Sequence, residues 1–159
     1  MKKIYSILSI AVAFSMLALV TSCSDDDGED INRTEVLTSK KWTILKIEAG
    51  MANEYEDITD AQLYECERDD IETYSTDNIY TKSPGEDNCD GDATGYTGTW
   101  AWKDGEKILT TTTFGDTEDY IVESMSASQL KLKSEDKDIS VEVGGTTYYY
   151  TVIVTYTGK

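Results

Sequence analysis

Hydrophobic and polar residues alternate over most of the chain that follows residue 40, in runs of five to eleven residues separated by turn-forming clusters. Alternation with a period of two over short runs is typical of β-strands that bury one face. The nine candidate strands are residues 41–47, 70–75, 78–82, 97–103, 107–113, 119–125, 129–134, 138–143 and 146–156. Residues 49–61 are polar and acidic instead. We expect a loop or a brief helix there, with Thr59 and Gln62 at the spacing of a helix capping box.

Two dipeptides within this pattern predict tight hairpin turns. Asp104-Gly105 and Gly144-Gly145 each separate two candidate strands, and both suit a two-residue turn with positive φ at its central residues. Consecutive strands joined by hairpins, without a long amphipathic helix between them, favour an antiparallel meander. Closing a meander removes its exposed edges. The sequence therefore predicts an all-β fold, a single antiparallel up-and-down β-barrel of about eight strands.

The candidate strand at 97–103 has an unusually aromatic face. The period-two rule places Gly98, Trp100 and Trp102 together, and a glycine beside two tryptophans suits the inner face of a curved, closing sheet. A two-residue turn after this strand would set Trp100 opposite Leu109 and Trp102 opposite Lys107.

The last candidate strand divides into two chemically distinct faces. Tyrosine and valine alternate along one face and threonine recurs along the other. The first face contains Tyr148, Tyr150, Val152, Val154 and Tyr156, and the second contains Thr147, Thr151, Thr155 and Thr157. We expect the first face to contact a core and the second to face water.

The N-terminus has the order of a secretory signal. Lys2 and Lys3 precede an apolar run over residues 4–20, and the small residues Thr21 and Ser22 follow directly before Cys23. A charged, then apolar, then small-residue order predicts cleavage after residue 22. The apolar run is interrupted by serines and is short for a membrane span. Residues 1–22 are therefore expected to be removed as a signal peptide.

Residues 19–23, LVTSC, resemble the lipobox of bacterial lipoproteins. The resemblance implies that Cys23 becomes the first mature residue, with a diacylglycerol on its sulfur and usually a further acyl chain, such as palmitate, on its amine. Two or more chains hold a soluble domain firmly on a bilayer. The acidic run after Ser24 resembles the signal that sends some Gram-negative lipoproteins to the outer face of the outer membrane. We therefore expect residues 23–33 to form a lipidated acidic spacer on a cell-surface lipoprotein.

Composition narrows the functions that this chain can perform. The sequence has 31 acids, 14 bases and a net charge of -17, which argues against nucleic-acid binding because that depends on basic residues. It has no histidine, so Ser-His-Asp and Cys-His catalysis are absent, and it has no Gly-rich phosphate loop. We expect no enzyme, no cofactor and no metal site. A glycosidase-type carboxylate pair and weak calcium binding at residues 86–91, which partly follow an EF-hand loop, stay open.

Two further cysteines, Cys66 and Cys89, follow the predicted lipidation site. An exported chain occupies a compartment that permits disulfides, so we expect these residues to form a structural bridge. On the chain-entropy estimate, closing a loop of this length stabilises the fold by roughly 3 kcal/mol.

The chain also resembles the lipocalin-like lipoproteins of Gram-negative bacteria. The resemblance rests on the strand of Trp42, the segment at 66–71, Cys89, and the stretches Gly98-Thr99-Trp100, Tyr120-Ile121 and Leu130-Lys131-Leu132. It implies an up-and-down barrel over residues 34–159. One departure is that lipocalins commonly have Gly-x-Trp at the first strand, where this chain has Lys40-Lys41-Trp42.

Two modes of action follow from a tethered barrel. In the first, the barrel binds a small apolar or glycan ligand through Trp100, Trp102, Tyr148 and Tyr150, although these aromatics equally suit a filled barrel core. In the second, the loop at 83–95, held by Cys89, contacts another surface protein, as a partner or an inhibitor would.

Overall fold

The computed structural model describes residues 31–89 and 94–159. The predicted signal peptide and Cys23 lie outside these ranges. The helices are α1 (Arg33–Thr38) and α2 (Thr59–Gln62), with a 3-10 turn at Glu65–Glu67. The strands are β1 (Lys41–Met51), β2 (Glu54–Asp57), β3 (Ile71–Tyr74), β4 (Ile79–Ser83), β5 (Tyr96–Lys103), β6 (Ile108–Thr113), β7 (Asp116–Met125), β8 (Gln129–Val143) and β9 (Thr146–Gly158).

Eight of these strands form a closed barrel. β1 pairs antiparallel with β3, each strand from β3 to β9 pairs antiparallel with the next, and β9 returns to pair with β1 from Trp42–Gly158 to Gly50–Thr151. β2 lies outside this ring and pairs with the far half of β1. The predicted all-β, antiparallel up-and-down barrel is confirmed.

Two strand assignments differ from the sequence prediction. The candidates at 129–134 and 138–143 form one long strand, β8, which accommodates a register shift between Asp136 and Ser140. The stretch predicted as a loop contains the end of β1 and all of β2. Gly50 permits this hairpin, because a Cβ there would lie 1.9 Å from the carbonyl oxygen of Glu54.

Helix α2 forms where a short helix was expected, but the predicted capping box is wrong. The N-cap residue is Ile58, which makes no side-chain cap bond. Thr59 Oγ1 instead accepts a hydrogen bond from the Ile47 backbone N–H at 2.8 Å and donates one to Asp57 at 2.6 Å. β1 pairs with β3 only at Lys41 and Trp42, so the Ile47 N–H lacks a strand partner there and Thr59 satisfies it.

The turn after β5 is longer than the sequence predicted. Trp100 pairs with Thr111 and Trp102 pairs with Leu109, two residues away from the expected register. Asp104, Gly105 and Glu106 all have positive φ, at 48°, 62° and 68°. This turn is held by α1, because Arg33 Nη1 donates to the Glu106 carbonyl at 2.7 Å and Thr34 Oγ1 donates to its carboxylate at 2.9 Å. By contrast, Gly144-Gly145 forms the expected two-residue turn between β8 and β9.

Helix α1 closes one end of the barrel. Leu37 and Trp42 are fully buried, and Trp42 Nε1 donates to the Leu37 carbonyl at 3.0 Å. Trp102 Nε1 donates to Thr34 Oγ1 at 2.9 Å. We call this the closed end; the core around it also includes Trp100, Leu109, Val122 and Leu130. The opposite end, where β1 finishes and β3 begins, is the open end.

Both faces of β9 are buried or half-buried over residues 151–158, where the strand pairs with β1. Val154 and Tyr156 pack against the interior, as predicted. The threonine face is exposed only in part: Thr147 is exposed as predicted, whereas Thr151 and Thr155 are 4% and 8% exposed. On this outer face Thr155 lies between Lys46 and Lys131, whose long aliphatic stems cover shorter side chains while their charged groups reach solvent.

Candidate ligand-binding site

The barrel interior changes from apolar to polar between its two ends. Tryptophan and leucine fill the closed end, and Tyr74 packs against Trp100 there, whereas the pair formed by Glu72 and Lys82 lies two residues nearer the open end than the pair formed by Tyr74 and Tyr80. Tyr74 and Tyr80 belong to the buried core, so strand alternation directs Glu72 and Lys82 to the same inner face. The open half of this small barrel therefore contains a charged pair.

Glu72 is a buried carboxyl group with long hydrogen bonds. Its side chain is 7% exposed, and it accepts from the Tyr74 hydroxyl at 3.4 Å and from the Tyr156 hydroxyl at 3.5 Å. Hydroxyl-to-oxygen bonds are usually 2.7 to 2.8 Å long. Burial raises the pKa of Glu72, although the charge of Lys82 and hydrogen bonds from tyrosine hydroxyls oppose the shift. The carboxyl group is therefore only loosely satisfied within the barrel.

The tyrosines around Glu72 are held in their protonated form. Burial, and then the negative charge of Glu72, raise the pKa values of Tyr74, Tyr80 and Tyr156. Burial followed by a hydrogen bond with Glu118 raises the pKa of Tyr120. At neutral pH the hydroxyl groups of Tyr74 and Tyr156 consequently donate to the Glu72 carboxyl group, whereas that of Tyr120 donates to Glu118.

Lys82 links this interior to the open end. Its Nζ lies 3.2 Å from Oδ2 of Asp70, which precedes β3. Burial alone would lower the pKa of Lys82, but the hydrogen bond and the charge of Asp70, together with the charge of Glu72, raise it overall. Lys82 is therefore a stable cation between one carboxylate at the mouth and another inside the barrel.

A cavity of about 240 Å³ opens beside Lys82. It is lined by Cys66, Glu67, Asp70, Lys82, Ser83, Pro84, Asn88, Cys89, Thr94, Gly95 and Tyr96. The predicted disulfide is confirmed: Cys66 and Cys89 are bonded, with Cα atoms 5.2 Å apart, and they form part of the wall. We call this space the mouth cavity.

A continuous series of aromatic rings runs from the mouth to the closed end. Phe114, which is 85% exposed at the β6–β7 turn, lies 5.2 Å from Tyr96, and Tyr96 lies 6.2 Å from Tyr80. Tyr80 contacts Tyr74, Tyr74 contacts Trp100, and Trp100 contacts Trp102, with ring centroids 5.3, 6.0 and 5.8 Å apart. An exposed aromatic ring at the lip is thus connected by packing to the core.

The structure does not bring the four sequence-predicted ligand residues together. Trp100 and Trp102 are near the closed end, where Trp100 is 4% exposed and its Nε1 donates to the Ser75 carbonyl at 2.9 Å. Tyr148 and Tyr150 lie beyond the open end, on the part of β9 that does not pair with β1. Any ligand contacts by these pairs would form two separate surfaces.

Sequence reasoning missed the polar residues of the open half, above all Glu72 and Lys82. The period of two did carry a signal, because Glu72 and Tyr74 share a face of β3. That signal was masked by Ile71, whose apolar side chain suggested that the opposite face was the buried one. Only the closed barrel shows that the face with the acid points inward.

The loop proposed as a protein-contact site is partly defined. Asp69 Oδ2 accepts from the backbone N–H groups of Glu86 and Asp87, at 2.6 and 3.1 Å, which holds the loop against the 3-10 turn. Residues 90–93 lie outside the described ranges. They include two positions of the partial EF-hand pattern, so the alternative of weak calcium binding there stays untested.

Neither a protein-family model nor a curated protein sequence matches the chain. The eight-stranded antiparallel barrel is consistent with a lipocalin-like fold. Within residues 31–89 and 94–159 no helix is long and apolar enough to cross a membrane. The same residues contain no group of three potential metal ligands of the histidine, cysteine or carboxylate kind.

Proposed function

We propose that this protein is a lipid-anchored surface module whose barrel binds a small hydroxylated ligand, such as a glycan fragment, at its open end. The observation that carries the proposal is the mouth cavity beside Lys82, where the Asp70–Lys82 ion pair and an aromatic lip meet. Small-ligand sites commonly combine a concave surface with a few convergent polar groups. Tyr96 lines this cavity, and the exposed ring of Phe114, whose centroid lies 5.2 Å from that of Tyr96, extends the aromatic surface beyond the lining as a lip.

The chemistry of the open end favours a polyhydroxyl ligand over a purely apolar one. Hydroxyl groups both donate and accept, so they can pair with the Asp70 carboxylate and with the Lys82 ammonium group. The exposed face of Phe114 offers an apolar surface to the C–H groups of a sugar ring. An apolar ligand would need the closed end, which Trp100 and Leu109 already fill.

The position of the proposed lipid anchor is compatible with an open end that faces away from the membrane. Cys23 is ten residues before Arg33, the first residue of α1, and α1 covers the closed end. A fully extended chain of that length reaches roughly 35 Å. The tether would therefore attach to the closed end and leave the mouth facing away from the outer membrane. This placement supports capture of ligands from outside the cell.

Ligand binding is tested first by native mass spectrometry of residues 24–159 purified from the native envelope. Residues 33–159 supply the complete barrel, so this soluble form contains the whole domain. We expect a bound small molecule, and binding of the apo form to oligosaccharides on a glycan array. Phe114→Ala should abolish array binding, while Leu45→Ala, at another exposed apolar site, should not. An apo mass together with an empty array would refute the proposal.

The anchor is tested separately by metabolic labelling with palmitate. The full chain should incorporate the label and be cleaved by protease added to intact cells. Cys23→Ser should lose the label and leave the envelope. Labelling that persists in Cys23→Ser would contradict the assignment of the lipidation site.

A further inference from the structure

The β8–β9 hairpin extends well beyond the barrel. β7 pairs with β8 only from Ile121–Lys133 to Met125–Leu130, and β1 pairs with β9 only as far as Gly50–Thr151. Residues 134–150, which we call the arm, therefore make strand pairs only within the β8–β9 hairpin in the described chain. A two-stranded ribbon of this kind has a free edge on each side.

A cleft separates the arm from β7. It has a volume of about 310 Å³ and is lined by Glu118, Asp119, Tyr120, Ser134 and Glu135, which come from the adjacent parts of β7 and β8. β7 continues to pair with β6 along residues 116–121 on its other side, so its edge toward the arm is free. Both walls of the cleft are thus strand edges whose outward N–H and C=O groups lack a strand partner in the described structure.

The arm also exposes apolar side chains at alternate positions. Ile139, Val141 and Val143 are 49%, 43% and 58% exposed. Their period of two places them on one face of β8, and Val141 lies opposite Tyr148 on β9. A free strand edge bordered by alternating β-branched residues is the arrangement that β-strand addition uses, in which backbone bonds give affinity and alternate side chains give specificity.

The charge of both walls defines the complementary partner. Residues 116–120 contain three acids and no base, and residues 134–143 contain four acids and one base. Within the cleft, Asp119 pairs with Lys103 and Glu135 pairs with Lys133, which leaves Glu118 as the cleft acid without a basic partner among the described residues. A second copy of this chain would bring the same acidic edge, and each copy has a net charge of -17. Like charges placed together in an interface oppose association. A segment with lysine or arginine avoids that repulsion.

We propose that the cleft between β7 and the arm binds an extended, basic segment of another protein, which adds a strand to the free edge of β8. Its apolar residues would contact the face of Val141, and its bases would pair with Glu118 and compete with Lys133 for Glu135. None of the five cleft residues lines the mouth cavity. This interaction is therefore independent of the ligand site.

The probe for this site is a fluorescent nine-residue peptide of alternating lysine and valine, measured by anisotropy with residues 24–159. A control peptide of the same sequence carries N-methyl groups on alternate backbone nitrogens, which keeps the charge but prevents strand pairing. We expect the control to bind at least about tenfold more weakly. We also expect the unmodified peptide to slow amide hydrogen exchange at residues 134–143.

A matched pair of variants locates the contact. Glu118→Lys should weaken binding of the unmodified peptide about tenfold, because it reverses a charge in the cleft. Glu56→Lys makes the same change in net charge on the exposed strand β2 and should leave the affinity unchanged. Equal affinities for both peptides, or for both variants, would mean that only general charge attraction operates and would overturn the proposal. Sedimentation that shows a dimer with protected residues 134–143 would overturn it as well, in favour of a second copy.

Discussion

The two halves of the barrel interior are built from different chemistry. At the closed end, α1 seals a core in which each tryptophan nitrogen donates to a nearby oxygen, as Trp42 does to Leu37 and Trp102 does to Thr34. In the open half, Glu72 is buried with hydrogen bonds of 3.4 and 3.5 Å, and the charge of Lys82 interacts with both Asp70 and Glu72. The closed end contributes stability, whereas the open half retains polar groups that stability alone would not require.

The largest effect is expected at the closed end. Replacing Trp42 with Ala should lower the free energy of unfolding by about 3–5 kcal/mol, since the side chain is fully buried. Trp42→Phe keeps most of the apolar area and loses the Leu37 hydrogen bond, so it should cost less. Urea denaturation followed by fluorescence measures both variants. A loss of under about 1 kcal/mol for Trp42→Ala would show that the closed end does not dominate stability.

The second-largest effect on stability is expected for the disulfide in the wall of the mouth cavity. Changing Cys66 and Cys89 together to serine should lower the free energy of unfolding by about 3 kcal/mol, because the unfolded chain regains the entropy of an open loop. Urea denaturation of the double variant, beside the wild type with and without reductant, measures this loss. If reductant destabilises the double variant as much as the wild type, the bridge is not the cause.

Glu72→Gln tests whether the buried carboxyl group in the open half lowers the stability of the protein. Because burial raises the pKa of Glu72, folding favours the protonated carboxyl group. The contribution of the Glu72 carboxyl group to folding stability is therefore fully present below the ordinary glutamate pKa of about 4.3. It is lost as the pH rises through the higher pKa that Glu72 has in the folded protein. The variant should be more stable than the wild type at pH 7 and lose this advantage at pH 3.

The measurement for Glu72→Gln is urea denaturation at both pH values. Glu56→Gln, on an exposed position of β2, serves as the matched control and should change stability at neither pH. A Glu72→Gln protein that is equally stable or less stable at pH 7 would show that the tyrosine hydroxyls and Lys82 fully compensate the buried charge.

The smallest effect on stability is expected at the lip. Phe114→Ala should change the free energy of unfolding by less than about 0.5 kcal/mol, since the ring is 85% exposed. The same change is expected to abolish ligand binding. It should therefore remove binding on the array while leaving the denaturation curve nearly unchanged. A large loss of stability would mean that the contact with Tyr96 is structural.

Much of the fold could be predicted from local sequence pattern. The error at the turn after β5 arose from contacts between residues that are distant in sequence. The strands, their antiparallel order and the turn at Gly144-Gly145 were predictable because alternation and turn residues act over a few positions. The Cys66–Cys89 bridge was predictable because only two cysteines follow the predicted lipidation site in a chain expected to be exported. The turn after β5 was not, because contacts from Arg33 and Thr34 hold it in a longer form. Those contacts join residues more than seventy positions apart, which no local rule includes.

For the ligand site, the sequence shows which residue types are present but does not show which face of the sheet they occupy. Alternation grouped Glu72 with Tyr74, and only barrel closure directed that group inward, beside Lys82 and Tyr156. The sequence by itself determined an all-β chain of hairpins with a strong acidic charge, since these depend on neighbouring residues and composition. The tertiary structure decided the polar open half and the free edge of the arm, because both depend on which strands pair and where that pairing ends.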